Sequence, residues 1–183
     1  RLFYKQPILD YAHAYALYNW KLIDDKNPDQ ISYHNDEVVT SKNPIGNLEL
    51  IRKFHGKEDE AGFILLHVAI VSKTYKQVAA YDTIYQGLKN QDRAMVNKGL
   101  EMHHEFMTEI RMIFADMWKY SAPVNYLDFR TFIMGITGND DIFPNGVVYE
   151  GCFNDEPQYY RGETGAQDSI IPSCDSALGL DYP

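Results

Sequence analysis

The sequence predicts an all-α protein with one irregular, glycine-rich loop near residues 138–169. Residues 58–89 have helical apolar spacing, and their first half is apolar on every side of a helical wheel. In residues 92–120, apolar side chains recur every three or four positions, as on one face of a second long helix. Glycines and prolines then cluster after Gly138, which rules out a continuous helix there.

The composition is that of a globular protein, with 183 residues, 45% hydrophobic and 23% charged. This length supports one sizeable core, so residues 1–183 are expected to form one domain or a large piece of one. A formal net charge of −9 disfavours nucleic acid and anionic membranes as main partners.

The cysteines and the apolar runs indicate a cytoplasmic protein. Cys152 and Cys174 lack metal-type spacing and predict free thiols in a reducing compartment, with one disulfide left open. The longest apolar run, Ala61–Ser72, is too short to span a bilayer. The basic start Arg1–Lys5 is not followed by the apolar segment of a secretory signal.

The segments before the first long helix have mixed patterns. A wide apolar face predicts a helix over Pro7–Leu22. Residues 29–46 lack a clean period and are predicted to be a loop, with a short extended piece near Glu37–Thr40. A short helix is expected over Asn47–Phe54.

Two long helices, Glu58–Lys89 and Asp92–Tyr120, are predicted to form the core. After Val71 the apolar side of the first is expected to comprise Tyr75, Val78, Ala79, Tyr81, Ile84 and Tyr85. The core stripe of the second is expected to comprise Val96, Leu100, His103, Met107, Ile110, Phe114 and Met117.

Shorter elements complete the chain. Asn125–Thr137 is apolar on most sides and predicts a further helix, and Ser169–Leu180 is a candidate for the last one. The irregular stretch between them has the length and composition of a functional loop. Its run Tyr160–Ser169 is rich in small and hydrogen-bonding residues, which predicts a pocket wall.

Two polar residues stand in strongly apolar surroundings. His67 is the one polar residue of the run Phe63–Val71, and burying an unpaired imidazole costs about 1–3 kcal/mol. It is therefore a hydrogen-bonded core histidine, which its residue type favours, or the lining of a buried ligand pocket. Arg130, within Phe129–Met134, pairs with an internal carboxylate such as Asp128, extends outward to solvent, or binds a substrate carboxylate.

A metal site on the second long helix is disfavoured. Glu101 and His104 have the Glu-x-x-His spacing of di-iron bundles, but the chain has no second copy and both fall on the solvated side. His103 lies on the core stripe and is predicted to be a packed core histidine.

Several motifs recur together over nearly the whole chain. They are Pro7-Ile8-Leu9-x-Tyr11-Ala12, Asn19-Trp20, Gly62-Phe63 before His67, Arg130 before Gly135-x-x-Gly138-Asn139, Gly146-Val147-Val148-Tyr149-Glu150-Gly151, and Arg161-Gly162-Glu163-Thr164-Gly165-Ala166-Gln167 with Ser169 and Asp175. In order and approximate spacing this series resembles the haem-dependent indoleamine 2,3-dioxygenases.

The resemblance implies an all-α fold that holds haem b and opens the indole 2,3 bond of L-tryptophan, or of a related indoleamine, with O2. The product would be of the N-formylkynurenine type, as in tryptophan catabolism through the kynurenine pathway. His67 would be the catalytic-site residue, placed to meet the indole N–H, and Arg130 would bind the substrate carboxylate. Tyr126 is a candidate for an aromatic contact upstream of Arg130.

The resemblance also implies two sets of binding residues. The expected substrate-binding residues are Tyr11, Phe63, His67, Arg130, Thr164 and Gly165. The expected haem-binding residues are Phe63, Gly162, Thr164, Gly165, Ala166 and Asp175.

In this family the histidine that ligates the haem iron lies on a later helix, and none of the six histidines here has that context. We therefore expect no metal ligand in this chain, and we expect the proximal histidine to lie beyond Pro183. The chain is expected to be the N-terminal and central part of the large haem-binding domain, completed by a C-terminal fragment of the same protein.

Two other functions remain open. A haem protein of this fold could carry O2 or run another oxidation, although Arg130 and Thr164 disfavour a pure carrier. A non-catalytic helical fragment is the second alternative.

Overall fold

The computed structural model describes residues 11–26, 46–162 and 168–180. In chain order its elements are a π-helix Tyr11–Leu17, strands β1 Trp20–Leu22 and β2 Leu48–Leu50, helices α1 Glu58–Val71, α2 Thr74–Lys89, α3 Arg93–Ala115, α4 Met117–Tyr120 and α5 Pro123–Met134, a 3-10 turn Phe153–Asp155, and helix α6 Ile170–Leu178. Helices dominate, and β1 and β2 form a two-stranded sheet. The predicted all-α class is confirmed.

Helix α1 is the centre of the core. Every residue from Ile64 to Ile70 is buried, and the helix contacts the π-helix, β2, α3, α4 and α5. The prediction drawn from its all-round apolar surface is thus confirmed. Because each fully buried large apolar side chain contributes about 1.5–3 kcal/mol, this helix is the main source of hydrophobic stabilisation.

The single helix predicted over Glu58–Lys89 is divided between α1 and α2. The Ser72 hydroxyl donates a hydrogen bond to the Ala69 carbonyl (2.7 Å), and the Thr74 hydroxyl donates one to the Val71 carbonyl (2.5 Å). Such side-chain bonds compete with the backbone ladder of a helix. Residues 72–73 therefore form a turn between the end of α1 and the start of α2.

Helices α2 and α3 pack against each other through glycines. A Cβ added to Gly87 would lie 2.7 Å from the backbone nitrogen of Val96, and one added to Gly99 would lie 2.8 Å from that of Ile84. Asp92 caps α3, since its carboxylate accepts hydrogen bonds from the N–H groups of Ala94 and Met95.

This glycine contact rotates both helices away from the predicted faces. The buried residues of α2 are Gln77, Ala80 and Gly87, whereas the predicted apolar residues Tyr75, Val78 and Tyr85 are exposed. On α3, His103 and Ile110 are buried as predicted, but Leu100 and Phe114 are exposed. The buried residues of α3 are Gly99, His103, Phe106, Ile110 and Ile113.

The sheet replaces two predicted helical segments. Strand β1 pairs antiparallel with β2, with Trp20 opposite Leu50, so the helices predicted over Pro7–Leu22 and Asn47–Phe54 are wrong at these residues. The Asn19 amide accepts a hydrogen bond from the Arg52 N–H (2.7 Å) and donates one to the Arg52 carbonyl (3.0 Å). The extended piece predicted near residues 37–40 lies outside the described residues.

The chain after α5 is irregular where it is described. Gly135 ends α5 with a φ of 81°, and residues 138–162 consist of turns, isolated bridges and the 3-10 turn. The predicted irregular stretch is confirmed for these residues, and α6 lies within the predicted range 169–180. Cys152 and Cys174 are free thiols, as predicted. In the described part of the chain, no helix has the length and apolarity needed to cross a membrane.

Candidate functional site

An aromatic cluster joins α1 to α5. The Phe63 ring centre lies 5.1 Å from that of Tyr126 and 5.8 Å from that of Phe129, and the last two rings meet edge-on at 5.2 Å. Phe129 is fully buried, whereas Phe63 and Tyr126 are half-buried. The cluster therefore forms an apolar wall in which the rings of Phe63 and Tyr126 are partly accessible to solvent.

A buried carboxylate sets the position of α5 on α1. Asp59 accepts hydrogen bonds from the Ala122 N–H (2.7 Å) and from the Asn125 side chain (3.0 Å). One turn along α1, a Cβ on Gly62 would overlap the Tyr120 carbonyl oxygen. Both contacts bring the start of α5 against α1, and this placement puts the α5 rings beside Phe63.

Arg130 extends from α5 beside the same cluster. Its guanidinium carbon lies 5.9 Å from the centre of the Tyr126 ring, a cation–π contact. The predicted internal partner Asp128 instead pairs with Lys57, and this hydrogen bond and charge lower the pKa of the Asp128 carboxyl. Among the described residues, no carboxylate forms an ion pair with the half-buried Arg130. Its charge is thus available to an anion that comes from outside this part of the chain.

His67 is buried and faces a carboxylate. It lies one turn after Phe63 on the same side of α1, and the residue is 7% exposed. Its Nε2 lies 3.3 Å from Oδ2 of Asp168, while Oδ1 of Asp168 accepts a hydrogen bond from the Ile170 N–H at 3.0 Å. Burial raises the pKa of Asp168, but the hydrogen bonds from His67 and Ile170 outweigh it, so the net shift is downward.

A neutral network lies on the far side of the same α6 turn. Nε2 of the buried Gln77 donates to the Ile170 carbonyl and to the Tyr81 hydroxyl, both at 3.0 Å. The Tyr81 hydroxyl also lies 3.1 Å from Nε2 of His103. Burial lowers the pKa of His103 and raises that of Tyr81, so both groups stay uncharged at neutral pH. His103 is thus the packed core histidine that the sequence predicts.

The loop after residue 157 is attached to the end of α5. The Gly162 N–H donates to the Met134 carbonyl (2.7 Å), and the Ile136 N–H donates to the Tyr160 carbonyl (2.8 Å). A Cβ on Gly162 would overlap the Ile133 carbonyl oxygen. Gly162 therefore has a packing role on the helix that carries Arg130, and its predicted haem contact stays a prediction.

The other predicted site residues lie outside the described residues or on α6. The side chain of Tyr11 and all of Thr164, Gly165 and Ala166 lie outside the described residues. Asp175 is half-buried on α6, and its carbonyl accepts hydrogen bonds from the Gly179 and Leu180 N–H groups. Glu101 and His104 are exposed on α3, as expected from their place on its solvated side.

The predicted iron ligand is not tested by the described residues. Pro183 lies outside the described residues, and the proximal histidine expected beyond it stays a prediction. Among the described residues, no three His, Cys, Asp or Glu side chains form a group that could hold a metal ion.

Three residues hold these groups in place, Asp59, Gln77 and Asp168, and the sequence pattern predicts no individual role for any of them, although Asp168 lies in the run Tyr160–Ser169 predicted to be a pocket wall. Asp59 carries a weak signal, since an acidic residue is common in the first turn of a helix. The partners of Asp168 and Gln77 are 101 and 93 residues away in the chain, so no local pattern reveals them.

Comparison with known proteins gives a consistent result. The family model described as "Indoleamine 2,3-dioxygenase" matches residues 3–183. The chain is 27% identical to rat (Rattus norvegicus) indoleamine 2,3-dioxygenase 1 over 96% of its own length and 39% of that protein. It is 30% identical to mouse (Mus musculus) indoleamine 2,3-dioxygenase 2 and 28% identical to its human (Homo sapiens) counterpart. Each of these two matches covers 83% of this chain and 39% of the relative. The chain thus spans about two fifths of the length of these relatives.

Proposed function

The chain belongs to the indoleamine 2,3-dioxygenase family, and from this premise we propose that it forms part of a haem-dependent dioxygenase. Its reaction is the opening of the indole 2,3 bond of L-tryptophan, or of a related indoleamine, by O2 to give an N-formylkynurenine-type product. The observation that carries the proposal is that one side of α1 and the adjoining α5 combine a buried imidazole, an aromatic wall and an arginine without a carboxylate partner among the described residues.

Each group has a role that suits an amino-acid substrate with an indole ring. Arg130 binds the carboxylate, because a guanidinium makes two parallel hydrogen bonds to it. Phe63 and Tyr126 contact the flat indole ring. His67 orients the indole N–H rather than acting as an obligatory base, so we expect the His67→Ser variant to keep measurable turnover.

Thr164 and Gly165 complete the proposed substrate site near the ammonium group, and the side chain of Tyr11 lines it. Gly162, Ala166 and Asp175 join Phe63 as the proposed haem contacts. These roles come from the family resemblance, and they complete the site around Arg130 and His67.

The described residues fit one side of a haem site. The aromatic wall of Phe63, Tyr126 and Phe129 provides apolar surface for a porphyrin. His67 does not suit the role of iron ligand, because its Nε2 is directed at Asp168. Haem, when bound, supplies the activation of O2. This chain's residues bind and orient the substrate and keep water away from it.

A companion C-terminal fragment of the same protein, beyond Pro183, is proposed to supply the iron ligand. Large apolar side chains stand exposed on α4 and α5, with Trp118 63%, Val124 73% and Leu127 65% exposed. An exposed apolar surface of this kind is typical of a face that packs against another polypeptide. A haem absorption band that appears only when the companion is present would support this arrangement.

The test is a comparison of two arginine variants in the haem-loaded protein, assembled with any companion polypeptide it requires. Arg130→Leu should raise the KM for L-tryptophan roughly 10- to 100-fold, because a charge-assisted contact contributes about 1.5–3 kcal/mol. Arg111→Leu is the matched control, since Arg111 is an exposed arginine on α3.

An unchanged KM in Arg130→Leu would overturn the role of Arg130. Haem binding without tryptophan turnover would favour the O2 carrier or another oxidation. The lack of a Soret band in every preparation would favour the non-catalytic fragment.

A further inference from the structure

The contact between His67 and Asp168 joins two ionisable side chains that are largely shielded from solvent. The two side chains are 9% and 11% exposed, and His67 Nε2 lies 3.3 Å from Asp168 Oδ2. A carboxylate in such a place is stable only when hydrogen bonds and a suitable partner replace its water. The pair also joins α1 to the turn that starts α6, two elements 101 residues apart in the chain.

Asp168 is itself held from two directions. Its Oδ1 accepts the Ile170 N–H at 3.0 Å, which directs Oδ2 towards His67. The carbonyl of the same residue, Ile170, accepts a hydrogen bond from Nε2 of Gln77, a residue of α2 that is 4% exposed. The carboxylate therefore has little freedom to turn away from the imidazole.

The ionised carboxylate determines which ring nitrogen of His67 carries a proton. Its hydrogen bonds with His67 and Ile170 lower the pKa of Asp168 and keep it ionised at neutral pH. An ionised carboxylate accepts hydrogen bonds and donates none. Nε2 of His67 must therefore be the donor, and in a neutral ring Nδ1 is then the acceptor nitrogen.

We propose that Asp168 is a positioning residue, which holds the His67 ring in one orientation and in the Nε2–H tautomer. The effect on substrate rests on the proposed function: an acceptor nitrogen is what an indole N–H requires, so this tautomer suits His67 for that contact. The effect on the ring itself is independent of the proposed function, because it concerns only the two described side chains.

The first test is nitrogen NMR of the His67 ring in the unchanged protein and in Asp168→Asn. In the variant, the amide oxygen keeps the Ile170 N–H and the amide nitrogen faces His67. The amide then donates to Nε2, and the proton should move to Nδ1. The expected result is a protonated Nε2 in the unchanged protein and a protonated Nδ1 in the variant.

Asp141→Asn is the matched control, because it removes the same charge at an exposed position and should leave the His67 ring signals as they are. An unprotonated Nε2 of His67 in the unchanged protein would overturn the proposal. So would a protonated Nε2 in both the unchanged protein and Asp168→Asn.

The second test asks whether Asp168 acts through His67. Asp168→Ala should lower kcat/KM for L-tryptophan about 10-fold in the haem-loaded protein, at the lower end of the losses seen when a partner that orients a metal-bound histidine is removed. In a His67→Ser background the same change should alter kcat/KM less than about 2-fold, because the residue it positions is gone. An equal loss in both backgrounds would overturn the proposal.

These two tests separate the proposal from the proposed function. A protein that never turns over tryptophan contradicts the proposed function, and the NMR experiment still decides the role of Asp168. A tautomer that does not respond to Asp168 contradicts the present proposal and leaves the dioxygenase activity intact.

Discussion

Two buried histidines occupy similar places in two helices and have different partners. His67 in α1 is 7% exposed and His103 in α3 is 6% exposed. His67 faces the carboxylate of Asp168, which joins α1 to the start of α6. His103 contacts the hydroxyl of Tyr81, and the two rings pack with centres 5.0 Å apart. Burial alone therefore does not distinguish a core histidine from a candidate site histidine, whereas the charge of the partner does.

The same contrast extends to the regions around them. In the α1 region, Asp59 and Glu60 are buried carboxylates that accept hydrogen bonds from backbone N–H groups. Glu60 is fully buried and accepts from the N–H groups of Phe54, His55 and Gly56. Between α2 and α3, the buried polar contacts around His103 are neutral. In the half of the fold that carries the candidate site, buried carboxylates thus add to the apolar packing of α1, whereas the buried polar groups between α2 and α3 are neutral.

The largest expected difference comes from replacing each histidine by leucine. His67→Leu should lower the free energy of unfolding by about 3 kcal/mol, because it leaves the largely buried carboxylate of Asp168 without one of its partners. His103→Leu should cost about 1 kcal/mol, since it removes one hydrogen bond between neutral groups and keeps the packing volume. Urea unfolding of the two variants and the unchanged protein measures both values. Equal losses of unfolding free energy in the two variants would contradict the view that a charged partner makes His67 more important for stability than His103.

A second comparison concerns the two aspartates that cap helices. Asp59→Ala should lower the free energy of unfolding by about 2 kcal/mol, because it leaves the half-buried Ala122 N–H, just before α5, and the Asn125 amide without their acceptor. Asp92→Ala should cost about 1 kcal/mol, since this exposed residue caps only its own helix.

The same experiment has a functional readout. Asp59→Ala should also raise the KM for L-tryptophan, because Asp59 sets the position of the helix that carries Arg130, whereas Asp92→Ala should leave the KM unchanged. A KM that changes in both variants, or in neither, would contradict this role of Asp59.

The smallest expected effect is the pH dependence of the free energy of unfolding that results from protonation of His103. Burial lowers the pKa of His103 from its usual value of 6.5, so the unfolded chain takes up the proton at a higher pH than the folded protein does. The stability contributed by neutral His103 is therefore complete above about pH 6.5 and is lost as the pH falls through the folded pKa. The slope cannot exceed about 1.4 kcal/mol per pH unit for one proton.

Urea unfolding between about pH 7 and pH 5 should show a flatter dependence in His103→Gln than in the unchanged protein. The pKa of Asp168 is also lowered, from its usual 3.8. Its contribution is accordingly present at neutral pH and is lost only below about pH 4. If Asp168→Asn flattened the pH dependence of the free energy of unfolding between pH 7 and pH 5 as much as His103→Gln does, the assignment of the two residues to different pH ranges would be contradicted.

Some elements could be predicted because their signal is local. The burial of α1 follows from residues that are apolar on every side of one helix, and the irregular stretch follows from its glycines and prolines. The strand β2 could not be predicted, since it depends on β1, whose Trp20 pairs with Leu50 from a distant segment. The buried face of α3 was predicted wrongly at Leu100, because neighbouring Gly99 makes the closer contact with α2.

The candidate site divides in the same way. Phe63, His67 and Arg130 were found from the sequence, partly by their unusual surroundings and partly by family resemblance. The sequence alone left open the partner of Arg130, and the structure excludes Asp128 because that carboxylate binds Lys57. Tyr126 entered as a candidate contact, and it lies between Phe63 and Arg130.

The sequence by itself determined that His67 is buried, because a polar residue in an all-round apolar helix has no solvent side to occupy. Only the tertiary structure decided what the imidazole faces. Periodicity describes the environment of a position along one helix. The pairing with Asp168 depends instead on how the start of α6, 101 residues later, is placed against α1. That placement is set by contacts such as the Gln77 bond to Ile170, which no local pattern encodes.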